Sequence, residues 1–156
     1  MSYLVEIAII VSLLVLNGIF AMSEFAIVSA KKARLRQRAN KGDTSSAAAL
    51  ELADEPTPFL STIQIGITLI GIFAGAYGGT TIARGLAAFF TEFPSLAPYA
   101  EGLSIMLVVL VVTYLTLVFG ELVPKRIALN NAENLAASVA KPRSFLSLIA
   151  APLFLY

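Results

Sequence analysis

The residues able to do chemistry in this chain are few, and they stand where polar groups are costly. Glu121 lies in Phe119-Gly120-Glu121-Leu122-Val123-Pro124-Lys125, the end of an apolar run that starts near Leu103 and has no earlier charge. A carboxylate that deep in membrane-length apolar sequence marks a functional site by default. Pro124 has no N–H to offer the carbonyl four residues back, which belongs to Gly120. With no side chain on Gly120, that oxygen is approachable. One turn thus presents a carboxylate beside a freed carbonyl, and hard cations such as magnesium or calcium bind oxygens of this kind.

Two other apolar runs carry polar groups at a similar depth. Glu24 precedes Lys31 by seven residues, Gln64 follows Pro58 by six, and Glu121 precedes Lys125 by four. At ~1.5 Å per helical residue they lie about 10, 9 and 6 Å inside their ends of the runs. Ser23, Ser61, Thr62 and Thr68 add hydroxyls to the same layer, and Asn17 and Thr113 lie deeper. Each has a plain structural reading. Hydroxyls in membrane helices bond back to their own backbone, and Asn17 or Gln64 suits an interhelical hydrogen bond. Glu24 is close enough to the interface to snorkel, and Glu121 has Lys125 at the i,i+4 spacing of a surface ion pair. Should these groups surround one ion, their oxygens favour magnesium, calcium or sodium over transition metals.

The chain has no Cys and no His, which removes thiol nucleophiles, disulfides, imidazole catalysis and the usual zinc or copper ligands. No enzyme is expected. Only 13% of residues are charged and 58% are hydrophobic, against about 25% charged in soluble domains. The composition is that of an all-α integral membrane protein.

Three runs are long enough to span a bilayer, which takes about 20 apolar residues. They cover about 4–28, 58–79 with an extension toward 90, and 103–123. The first has no basic flank before it, its first charge being Glu6, so it reads as a retained span and not a cleaved leader. Ten of the eleven basic residues fall after span one (Lys31 to Lys41) or after span three (Lys125 to Arg143). The positive-inside rule then sets the N-terminus outside and the C-terminus inside. The basic segment reads as a solvated loop helix that can meet acidic lipid headgroups, and nothing in it calls for nucleic acid.

In span two, Gly71-x-x-x-Gly75-x-x-x-Gly79 is a doubled small-xxx-small spacing. It serves either packing within the chain or a homodimer seam. Gly78-Gly79 is the expected helix break, with residues 80–90 as a second piece before a proline-containing loop. Residues from about 131 to 156 are expected to form an amphipathic juxtamembrane helix, since 144–156 is too short for a span. The apolar ending suggests a single transmembrane domain, 1–156, cut from a longer chain.

Asn17-Gly18-Ile-Phe-Ala-Met-Ser23-Glu24 in span one, Ser61-Thr62-Ile-Gln64-Ile-Gly66-Ile-Thr68 in span two and Phe119-Gly120-Glu121-Leu-Val-Pro124-Lys125 in span three resemble the CNNM/CorC (cyclin M-like) family. The resemblance covers essentially the whole chain. It implies a dimeric domain of three spans plus a juxtamembrane helix in the cell membrane. It further implies magnesium transport, as export and coupled to sodium, through an inward-facing acidic cavity that takes a dehydrated magnesium ion. Ser23, the Gly120 carbonyl and Glu121 would be ligands, with Glu24 beside them. Many relatives have an asparagine directly after the span-two glycine, where this chain has Ile67, so Ser61, Gln64 and Thr68 are the span-two candidates. The family's nucleotide-binding module is missing here, and no ATP site is expected. The competing expectation is a non-transporting membrane anchor for a cytoplasmic domain.

Overall fold

The computed structural model describes residues 3–140, and every statement of structure concerns these. It is helical, with three helices long and apolar enough to cross a membrane. Helix α1 (Tyr3–Ser29) is the first span, close to its expected bounds. Large apolar side chains such as Val15, Ile72, Leu110 and Leu122 are exposed along the three spans, as lipid-facing surfaces require.

Span two does not break at its paired glycines. Helix α4 (Thr57–Tyr77) runs through a π-helical turn at Gly78–Ile82 into α5 (Ala83–Thr91) as one 35-residue helix. Gly78 keeps right-handed helical angles (φ −62°, ψ −46°), so the helix absorbs an extra residue and does not stop. The insertion rotates the packing face: α4 lies along α1, whereas α5 lies along the third span.

The third span also runs beyond its expected end. Helix α6 (Ala100–Leu117) follows a 3-10 turn at Ala97–Tyr99, enters a second π turn at Val118–Leu122, and continues as α7 (Val123–Asn130). Pro124 falls in the first turn of α7, where a missing N–H breaks no ladder within that segment.

The best-packed core lies at the basic end of the bundle, where α2 (Lys32–Asn40), α3 (Thr44–Asp54) and α8 (Ala132–Ala140) gather around the ends of spans one and three. Ala26, Ile27, Leu35, Ala49, Leu52, Ala128 and Ala136 form its centre. Gly42, between α2 and α3, takes φ 94°, a left-handed conformation that favours glycine. Asp43 then caps α3, accepting the backbone N–H of Ser45 at 3.0 Å and of Ser46 at 3.3 Å.

The basic segment is a helix with mostly exposed basic side chains, as expected, but it is also docked on the bundle. Leu35 is fully buried and pins α2. Arg38 donates to Asn134 Oδ1 at 2.6 Å, and Arg34 pairs with Glu133 at 3.6 Å, both on α8. The juxtamembrane helix is present as α8, but its small face (Ala132, Ala136, Ala140) is buried against protein. The remainder of that expected helix, 141–156, lies outside the described residues.

Candidate cation site

Span one is the axis on which the candidate ligands are hung, and two close approaches fix it. Phe20 lies where any side chain on Gly66 would be: a Cβ there would stand 2.4 Å from the ring. Only glycine lets α4 come so near. On another face, Asn17 and Gly18 meet the second π turn. A Cβ on Gly18 would stand 3.0 Å from the Phe119 carbonyl oxygen and 3.2 Å from Pro124 Cγ. The Asn17 side-chain amide donates to the Gly120 carbonyl at 3.5 Å.

The π turn explains why two carbonyls turn this way. The Val123 N–H bonds to the Val118 carbonyl, five residues back. In that wider register the carbonyl facing the missing N–H of Pro124 is Phe119, while in the α-helical register it is Gly120. Both are directed at span one. The Gly120 carbonyl thus faces span one with a neutral amide as its partner, while the carbonyl opposite Pro124 in this register is that of Phe119, one residue earlier than expected. Asn17 and Gly18 are the residues sequence reasoning left out of the site. Their signal was a polar residue next to a glycine in the middle of an apolar run.

The remaining candidates are distributed unevenly. Ser23 is 5% exposed, and its hydroxyl donates to the Ile19 carbonyl at 2.7 Å, which leaves the oxygen's lone pairs as acceptors. Glu24 and Ser61 are half-buried. Gln64 and Thr68 are exposed, and Thr68 donates back to the Gln64 carbonyl at 2.9 Å. Thr62 likewise donates to the Pro58 carbonyl at 2.9 Å.

Glu121 follows the buried Gly120 on the π turn and is exposed in the single chain. Its i,i+4 pairing with Lys125 is not formed. The Lys125 ammonium lies instead 4.9 Å from the centroid of the Phe25 ring, a cation–π contact between α7 and α1. Asn17 and Gly120 are therefore joined, Ser23 is buried six residues further along the same helix, and Glu121, Gln64 and Thr68 are not closed over them within one chain. Among the described residues no three acidic, His or Cys side chains form a metal-binding group. A cation here would rely on carbonyl and hydroxyl oxygens with one or two carboxylates.

The span-two glycines face away from this junction. A Cβ on Gly71, Gly75 or Gly79 would meet nothing within 4 Å. These glycines line an open groove of about 260 Å³ between spans two and three, whose other wall includes Val109, Thr113 and Leu117. Glu121 lies four residues beyond Leu117, about one turn further along that wall.

Fold and site together define a multi-pass membrane protein with a polar junction between its first and third spans. A family model described as the cyclin M transmembrane N-terminal domain matches residues 8–156, and the chain belongs to that family. It is 55% identical over 148 residues to the UPF0053 protein sll0260 of Synechocystis sp., covering 95% of this chain and 33% of that protein. It is 31% identical over 149 residues to the UPF0053 protein YhdP of Bacillus subtilis, covering 96% and 34%. It is also 30% identical over 147 residues to a polyamine export protein of Haemophilus influenzae, covering 92% and 33%. The chain thus spans about a third of the length of these curated relatives.

Proposed function

We propose that the chain is the membrane domain of a magnesium exporter, coupled to sodium, working as a homodimer in the cell membrane with its N-terminus outside. One observation carries the reading: the second π turn directs backbone oxygens at Gly120 and Phe119, beside Glu121, toward Asn17 and Gly18 of span one, the helix that also carries the buried Ser23. Ser23 Oγ, the Gly120 carbonyl and Glu121 supply hard oxygens from two spans, and a span-two oxygen from Ser61, Gln64 or Thr68 adds a third. Magnesium prefers six oxygens at about 2.1 Å and gives up water reluctantly, so a domain that strips it must offer several oxygens at once.

The homodimer accounts for the exposure of Glu121. An ionised side chain facing lipid at membrane depth is costly. A second copy laid on the open Gly71, Gly75 and Gly79 stripe would cover the groove and the face that leads to Glu121. Close backbone approach at small residues is how membrane helices associate without a hydrophobic drive.

Magnesium titration of the purified chain tests the site. Because Glu121 is exposed, Glu121→Ala leaves the packed core intact, and its magnesium affinity should fall by about tenfold or more, the loss of one charged ligand. Equal affinity in variant and wild type would count against the site. One relative is named for polyamine export, which makes an organic polycation the rival cargo. Spermidine that displaces magnesium at equal or lower concentration would favour that rival. A full-length protein that moves neither cargo in liposomes would leave the anchor reading.

A further inference from the structure

We propose that Glu6 is the anionic ligand of a second cation site, at the end of the bundle remote from the basic helices and built around the first π turn. The proposal stands on different residues from the Glu121 site and does not depend on it. Glu6 is 4% exposed, and its Oε2 is buried with no hydrogen-bond partner among the described residues. Among the described residues no ion pair neutralises it there either: Arg84 and Glu101, the charged residues of α5 and α6 at this end, are both exposed, and the Lys32–Asp54 and Arg34–Glu133 pairs lie at the basic end.

Its position follows from two contacts on either side. The Tyr3 ring lies 2.9 Å from where a Cβ on Gly85 would stand, and Ile10 Cδ1 lies 4.0 Å from the same point on Gly78. Between them, Glu6 comes level with Thr81 and Ile82 of the π turn. The same point on Gly78 lies 3.4 Å from Val112 Cγ2 and 3.6 Å from Val108 Cγ1 of the third span. Four residues before Ile10 is Glu6, and four before Val108 is Ser104, which is fully buried. Ser104 spends its proton on the Ala100 carbonyl at 2.6 Å and keeps an acceptor oxygen. Thr81 has its hydroxyl only 3.4 Å from that of Thr80, a loose contact. Three helices therefore bring a carboxylate and two hydroxyl oxygens to one level beside a π turn, a distortion that recurs at functional sites.

The contrast with the other π turn is chemical. There span one presents Asn17, which donates to a carbonyl. Here it presents a carboxylate, which when ionised only accepts. An ionised carboxylate buried here without a positive partner would cost several kcal/mol, and a bound cation would supply that partner. Oxygen-only surroundings suit a small hard cation stripped of most of its water. Helix-dipole stabilisation would favour an acid near the start of α1, yet an exposed carboxylate would satisfy that equally well.

The test is carbodiimide labelling of the chain in nanodiscs, read by peptide mass spectrometry, in choline buffer and then with sodium, magnesium or calcium at matched ionic strength and pH. At least one metal ion should suppress labelling at Glu6 severalfold and saturably, in wild type and equally in Glu121→Gln. Labelling at Glu6 that none of the three ions alters would overturn the proposal, whatever Glu121 does. Glu6→Gln adds a second readout: the thermal stabilisation given by the protecting ion should be lost, and an unchanged stabilisation would equally overturn it. If Glu6→Gln does not fold, the wild-type labelling decides alone.

Discussion

Gly120→Ala probes the junction at its tightest point. A methyl on Gly120 would stand 2.6 Å from Asn17 Nδ2, closer than real Cβ contacts come. Asn17 must then rotate away and give up its bond to the Gly120 carbonyl. Overpacking costs about 1–3 kcal/mol and an interhelical bond in a membrane about 0.6–2 kcal/mol, while alanine in a helix returns about 0.5–1 kcal/mol. The expected net loss is about 1–4 kcal/mol, or a melting point lower by several degrees at this chain length. Asn17→Ala removes both the obstacle and the bond, so adding Gly120→Ala to it should be neutral or stabilising. Unfolding in detergent across the double-mutant cycle should give a coupling of about 1–3 kcal/mol. Gly102→Ala, where a Cβ meets nothing within 4 Å, is the control and should not destabilise. If the Asn17 and Gly120 changes simply add, to within about 0.5 kcal/mol, the contact between span one and the π turn is not the one described.

Three further outcomes follow from other parts of the bundle. Gly75→Leu fills the open glycine groove and should shift the chain toward monomer by mass measurement in detergent; an intact oligomer would move the seam elsewhere. The carboxyl of Glu133 is held below its ordinary value of 4.5, first by its own backbone N–H, then by the Lys31 N–H and the Arg34 guanidinium, against the opposing effect of burial. A depressed folded value adds stability that is present above pH 4.5 and is lost as pH falls through the folded value. Glu133→Gln should therefore destabilise at neutral pH and flatten the acid limb of a melting curve; an unchanged limb would mean α8 is not clamped to α2 in this way. Asp43, held low chiefly by the Ser46 hydroxyl and then by the Ser46 N–H, behaves alike: Ser46→Ala should fray α3, seen as faster hydrogen exchange at its start.

The three spans were legible because membrane length and low charge leave few alternatives to a helix. What the spans do inside was less so. A Gly-Gly pair is compatible with a break or with a π insertion, and the choice depends on what the next segment packs against, here α6. Pro124 pointed to a freed carbonyl at Gly120, but the wider turn sets Phe119 opposite the missing N–H, a shift of one residue that no residue type announces. Asn17 was legible as an interhelical hydrogen-bond donor, but not its partner, which lies 103 residues away. The basic segment was legible as a helix with exposed charges, but its docking was not, because a free and a docked basic helix share the same charges. Its one informative residue was Leu35, apolar among arginines and fully buried. Glu6 drew notice only as an acid where a leader would be basic; its burial has no local signature in the sequence.

The most direct measurement is a structure of the proposed dimer soaked in magnesium, at a resolution that gives coordination distances. An ion at about 2.1 Å from Ser23 Oγ, the Gly120 carbonyl and Glu121, with Asn17 released from or shared with that carbonyl, is the expected result. Contacts near 2.4 Å would instead assign calcium. A Glu121 that stays turned to lipid in the dimer, with no ion at the π turn, would contradict the account.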